Sequence, residues 1–198
     1  KNIGKTALKK FKPKLIRKPK MQTKKTNIFS FLPFAIFLGL VAMFAFGMWG
    51  NRVSKDASPL IGKPLPQIIS PTLDNKEIDL AQYAGKPLIL NFFASWCAPC
   101  KEEHPNLGLI AQNQDVVLLG FAYRDDPAKT RDYIAEMGNP YAQIAVDRQG
   151  AAGALLGLTG VPETYIVNKD GIIIYKHKGE ITPADVPKIL KMAIEGKQ

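Results

Sequence analysis

Cys97 and Cys100 stand three residues apart in Ser95-Trp96-Cys97-Ala98-Pro99-Cys100, and they are the chain's only cysteines. Cys-x-x-Cys has several chemical uses, and its neighbours choose among them. Covalent haem attachment needs a histidine next, and residue 101 is Lys. A zinc or copper site could draw on Cys97, Cys100 and His104, but His177 is the only other histidine and belongs to a distant hairpin. A structural disulfide would close a loop too short to stabilise much. The redox reading has context as well as spacing. The pair follows an apolar run, residues 87–94, and opens a helical stretch. A sulfur at a helix N-terminus meets free backbone amides and the positive end of the dipole, which favour thiolate over thiol. Cys97 is then the attacking sulfur, and Cys100, one turn on and more buried, resolves the mixed disulfide. Pro99 needs no amide partner in a first helical turn. No metal and no cofactor is expected.

A second landmark lies far downstream. Gly160-Val161-Pro162-Glu163-Thr164 precedes the apolar run Tyr165-Ile166-Val167. A proline at a strand entrance cannot donate to the ladder. A cis bond before Pro162 would bring the backbone of Val161 toward Cys97 and offer polar groups to an extended peptide. Taken alone, a Val-Pro pair is an ordinary trans turn.

These groups need a frame to hold them. Short strands are expected over residues 67–73 and 77–80, around the turn Asp74-Asn75. The continuous apolar runs at 87–94 and 116–123 read as buried strands. Residues 99–112 read as the helix behind the cysteines. Residues 127–137 read as a second helix, with Pro127 in its first turn and Gly138 past its end. A short strand at 141–146 and a short helix at 151–156 follow. Residues 164–167 and 172–175 form a hairpin over an Asp170-Gly171 turn, and 183–195 a closing helix. Strands alternating with helices make an α/β domain with a mixed sheet and helices on both faces. It covers residues 59–198.

The chain's formal net charge is +10, but residues 1–27 hold eleven Lys or Arg and no acid. From Asn51 onward sixteen basic residues face seventeen acidic ones. The domain is near neutral, so nucleic acid is not an expected partner. Between these parts, residues 28–50 carry no charge over 23 residues, enough for a helix to cross a bilayer. Lys24 and Lys25 flank its start, and only Arg52 and Lys55 follow closely. That asymmetry keeps the N-terminus in the cytoplasm and exports the domain. Residues 28–50 are therefore expected as a signal anchor, with 51–58 as a tether. A cleaved signal peptide, cut near Ala45-Phe46-Gly47, is the competing reading. Met21 begins an ordinary signal-anchor start, so residues 1–20 read as an upstream extension; a basic arm against anionic lipid is the alternative.

Trp96-Cys97-Ala98-Pro99-Cys100 after Asn91-Phe92-Phe93-Ala94-Ser95, with Gly160-Val161-Pro162-Glu163-Thr164 downstream, resembles the thioredoxin superfamily. Leu60-Ile61-Gly62-Lys63-Pro64, Tyr123-Arg124-Asp125-Asp126 and Gly138-Asn139-Pro140-Tyr141-Ala142 narrow it. They resemble the membrane-anchored thiol:disulfide proteins of cytochrome c maturation, the CcmG/DsbE group. The resemblance implies a three-layer thioredoxin-like fold with a strand-helix unit inserted within residues 141–156. It implies that Pro162 is the family's cis-proline. It implies a protein-disulfide reductase that opens disulfides in apocytochrome c before haem attachment, working at the bacterial inner membrane with its domain in the periplasm. Partners would be apocytochrome c or a haem-ligation component, and a membrane thiol reductant of the DsbD or CcdA type. Val161 departs from the small residue expected there, at a position that helps to set redox behaviour and partner choice. Trp96 and the Val161-Pro162 segment are the expected substrate contacts, with plain packing the other reading for Trp96. Glu163 is the candidate for proton handling. Glu102 and Glu103 read as a solvated helix face, His104 as a surface or capping residue, and Asp125-Asp126 as a helix cap. A general periplasmic oxidant or isomerase shares the motif, and a binding module without turnover shares the fold. A peroxidase relative would need Thr where Ala94 stands.

Overall fold

The computed structural model describes residues 32–50 and 58–197. The basic segment 1–27, the first residues of the expected span and the expected tether from 51 to 57 lie outside the described residues. The chain divides into two compact units, Lys1–Val53 and Ser54–Gln198.

In the first unit α1, Leu32–Gly50, is a 19-residue uncharged helix. The described residues alone hold no helix long and apolar enough to cross a membrane.

The second unit is built on a five-stranded sheet in the order β5-β4-β3-β6-β7. Its strands are β3 (Leu88–Phe93), β4 (Val117–Tyr123), β5 (Gln143–Asp147), β6 (Glu163–Val167) and β7 (Ile173–Lys178). β3, β4 and β5 run parallel, while β6 and β7 are antiparallel to their neighbours. A separate hairpin, β1 (Ile69–Pro71) and β2 (Glu77–Asp79), precedes them and runs into a 3-10 turn at Leu80–Tyr83. The helices are α2 (Ala98–Ala111), α3 (Pro127–Met137), α4 (Ala151–Leu155) and α5 (Asp185–Glu195).

Two apolar clusters sandwich the sheet. One joins Ile89 and Phe93 of β3 to Leu107 and Ile110 of α2, Tyr133 of α3, and Val186, Ile189 and Met192 of α5. The other joins Leu88, Leu90 and Phe92 to Ile78 and Leu80 of the hairpin region and Ala152 of α4. Alternation along β3 produces this division, because successive side chains point to opposite faces. All six residues of β3 are buried, as a central strand with apolar side chains on both faces requires, Asn91 being its one polar member.

The mixed α/β architecture is as expected, and residues 141–156 hold a strand and a helix, β5 and α4. Several bounds move. β1 is only three residues, because Pro71 and the turn at Thr72 end it. β5 begins at Gln143 and the closing helix at Asp185. β7 extends to Lys178 past a bulge opposite Ile166 and Val167.

Candidate functional site

The cysteine pair sits where β3 ends and α2 begins. Cys97 is the N-cap of α2, with extended backbone at φ −91° and ψ 108°, and its Sγ accepts from the Cys100 amide at 3.2 Å. The helix therefore offers its first free amides to this sulfur. Cys97 and Cys100 are joined as a disulfide, the oxidised form of the centre. Both are buried, while Trp96 beside them is 62% exposed. An aromatic side chain left in solvent next to a reactive sulfur can serve as a contact for a partner chain. Val161-Pro162 is a cis bond. Val161, half-buried, packs against the cluster that contains both cysteines, and Pro162 is buried at the start of β6. Thus Trp96, Cys97 and Cys100 stand at the junction of β3 and α2, and the cis Val161-Pro162 bond stands at the entrance to β6, the strand paired with β3.

The acids depart from expectation. Glu163 follows Pro162 directly, but its carboxylate lies with Tyr165, on the sheet face away from α2. It forms a buried ion pair with Lys176 at 2.8 Å and binds the Thr159 hydroxyl and amide. Strand alternation is the cause: Thr164 and Ile166 take the face toward α2, so Glu163 and Tyr165 take the other. Its charge is committed to holding the loop before Pro162, not to serving the cysteines.

Glu103, expected on a solvated helix face, is buried instead. It is 0% exposed, whereas Glu102 on the next position is exposed. Its Oε1 accepts from Asn91 at 2.8 Å and its Oε2 from the Ile181 amide at 2.9 Å. Burial raises its pKa to about 7, overcoming the two hydrogen bonds, which act in the opposite direction. Cys100 and Glu103 are three apart on the buried face of α2, so they are side-chain neighbours. A carboxyl that titrates near neutrality one helical turn from Cys100 is the candidate acceptor for its thiol proton. The signal in the sequence was Asn91, a polar residue in the middle of an apolar strand. A buried amide demands partners, and Glu103, Thr164 and Tyr141 supply them.

His104 is buried as well, not superficial. One ring nitrogen lies 3.0 Å from the Gly138 carbonyl and the other 2.9 Å from the Tyr133 hydroxyl. A carbonyl only accepts, so Nε2 carries a hydrogen and donates. Burial lowers the pKa of His104 and favours a neutral ring, whose Nδ1 shares the single Tyr133 hydroxyl hydrogen with the Cys100 carbonyl. Tyr133 also lies 3.2 Å from the Cys100 carbonyl. Asp126 caps α3 by accepting from Ala128, as expected, while Asp125 turns away to Ser95.

Together these groups make a centre for thiol–disulfide exchange. Two sulfurs share one helix end, one of them at the cap, with an exposed aromatic rim and a titratable acid behind the second. Residues 60–192 match the Redoxin family. The chain is 36% identical to the thiol:disulfide interchange protein DsbE of Escherichia coli (strain K12), over 77% of this chain and 85% of that protein. It is 40% identical to DsbE of Pseudomonas aeruginosa, over 76% of this chain and 83% of that one. Among solved structures, a secreted Mycobacterium tuberculosis disulfide oxidoreductase homologous to E. coli DsbE superposes with a TM-score of 0.58. At 23% identity, over 63% of this chain and 95% of that one, it shows the shared fold. The chain belongs to the Redoxin family, among the DsbE thiol:disulfide interchange proteins, and is a thiol:disulfide oxidoreductase.

Proposed function

We propose that this protein is a membrane-tethered reductant that opens disulfides in apocytochrome c so that haem can be attached. In the reduced enzyme the Cys97 thiolate attacks one sulfur of the substrate disulfide. A mixed disulfide forms and one substrate thiolate leaves. Cys100, its proton taken by Glu103, then attacks Cys97 Sγ and expels the second substrate thiolate. Two electrons pass to the substrate, and the enzyme ends as the Cys97–Cys100 disulfide. A membrane thiol reductant of the DsbD or CcdA type reverses that last bond.

The observation that carries this reading is the cap position of Cys97 beside an exposed Trp96. An open rim of this kind suits an extended polypeptide. The names of its relatives, thiol:disulfide interchange proteins, support the exchange chemistry, and the apocytochrome substrate rests on the motif resemblance. The uncharged run at 28–50, with eleven basic residues before it, supports a single-pass anchor in the inner membrane and a periplasmic domain.

The test is trapping. With Cys100→Ser, an oxidised peptide bearing an apocytochrome Cys-x-x-Cys-His site should remain bound as a mixed disulfide, and Cys97→Ser should form none. Direction follows from the potential of the pair. A value well below about −180 mV supports the reductant, and one near about −120 mV would make it an oxidant or isomerase instead.

A further inference from the structure

We infer that Asp125 is a positioning residue for the attacking cysteine, holding the Ser95-Trp96-Cys97 turn against the loop between β4 and α3. Its carboxylate is buried and takes four donors. Oδ2 accepts from the Ser95 amide at 2.7 Å and the Thr130 hydroxyl at 2.9 Å. Oδ1 accepts from the Ser95 hydroxyl at 2.8 Å and the Asp126 amide at 2.9 Å. Two of the four come from Ser95, two residues before Cys97. The Cys97 amide in turn donates to the Ala94 carbonyl at 3.1 Å, closing a turn that has Ser95 inside it. Fixing Ser95 by both its amide and its hydroxyl therefore fixes the direction in which Trp96 and Cys97 leave the strand.

A helix cap does not need this residue. Asp126 alone performs it, accepting from Ala128 at 2.8 Å. The backbone before Asp125 is bent for another purpose. Arg124 has φ 46°, in the left-handed region that side chains disfavour. It is held there by its amide, which donates to the Asp147 carbonyl at 2.9 Å, and by its guanidinium, 5.3 Å from the centre of the Tyr123 ring. Gly150 leaves room for this, since a Cβ there would lie 2.8 Å from Arg124 Nε. The bend aims Asp125 inward at Ser95, and Thr130 anchors it from α3. Strain of this kind persists only where the surroundings over-determine it, and it gathers at functional sites. Here its product is a rigid N-cap for Cys97.

The test is the pH profile of Cys97 alkylation by iodoacetamide in the reduced full-length protein, with thermal unfolding measured alongside. Asp125→Asn sets an amide NH2 against two donors and frees the turn. Cys97 then loses its aligned helix amides, and its thiol pKa rises. The expected result is alkylation about three- to tenfold slower at a pH below both values. Faster alkylation would mean that only the charge of Asp125 matters, because removing a nearby anion favours the thiolate. An unchanged profile with a lower unfolding temperature would mean a role in stability alone. Either result overturns the inference. Ser95→Ala keeps the charge and removes one bond, so it should slow alkylation in the same direction by less. If Asp125→Asn does not fold, Ser95→Ala decides: slower alkylation sustains the inference, and unchanged or faster alkylation ends it.

Discussion

Glu103 is enclosed between Asn91 and the Ile181 amide with no exposed surface, and its titration follows from that enclosure. Its ordinary value of 4.5 is raised to about 7. The folded protein therefore keeps a proton that the unfolded chain gives up. Stability from this group is fully present below about pH 4.5 and is lost as pH rises through about 7. The whole effect is on the order of 3 kcal/mol at most. Urea unfolding from pH 4.5 to 8 should show a falling stability in the wild type and a flatter profile in Glu103→Gln. Parallel profiles would sink this assignment. Glu103→Gln is expected to be less stable at low pH, because its NH2 must face the donor of Asn91 or Ile181. The slope, not the absolute value, is the readout.

At the scale of elements, the bulge in β7 decides what Lys176 does. Ile166 pairs with Tyr175, yet Val167 pairs with Ile173, so one residue is extra and the alternation reverses. Lys176 is thereby placed opposite Tyr165 with its ammonium 5.0 Å from the ring centre. From there it reaches Glu163 at 2.8 Å and the Gly157 carbonyl at 2.9 Å. Tyr165 adds a hydrogen bond to the Leu156 carbonyl at 3.0 Å. The loop before Val161-Pro162 is thus clamped by a buried pair. Removing one partner leaves a buried charge alone, so Lys176→Met should cost about 3–5 kcal/mol. The double variant Lys176→Met, Glu163→Leu should recover part of that loss in denaturant unfolding. Strictly additive losses would mean that the two charges are not coupled. Gly120 sets a second condition. A Cβ there would lie 2.9 Å from Tyr141 Cγ and 3.0 Å from Phe93 Cε1, two rings stacked at 5.0 Å. Gly120→Ala should therefore destabilise by about 1–3 kcal/mol. It should also push the Tyr141 hydroxyl off Asn91, where it now donates at 2.8 Å. Unfolding curves and a shift in the Glu103 titration would check both.

At the scale of the molecule, the site is complete within the unit Ser54–Gln198. Every residue argued to act on the sulfurs lies there, and both apolar clusters close within it. A chain beginning at Ser58 should therefore fold cooperatively and reduce a small peptide disulfide at the full-length rate. On the proposed role it should fail in cells to support cytochrome c assembly where the full chain succeeds, because the proposed anchor both exports the domain and keeps it beside the proposed membrane donor. Equal support in cells from both forms would remove the anchor from the functional account.

Much of the catalytic centre was legible in the chain itself. Cys97 and Cys100 at a strand-to-helix junction, and Pro162 before a strand, are local patterns, and local patterns survive in one dimension. The strands at 87–94 and 116–123 were legible for the same reason, while their order in the sheet was not. The roles of the acids were not. Glu103 and Glu102 are adjacent charged residues on a helix of weak amphipathic contrast, and only packing against Asn91 and Ile181 separates the buried one from the exposed one. Glu163 stands beside Pro162 in sequence but across the sheet from the cysteines in space, because a strand sends neighbours to opposite faces. The partner of Asp125 is thirty residues away. Spacing along the chain determined which groups could react, and tertiary packing decided which carboxylate is buried on the cysteine helix, which meets a lysine and which holds the turn.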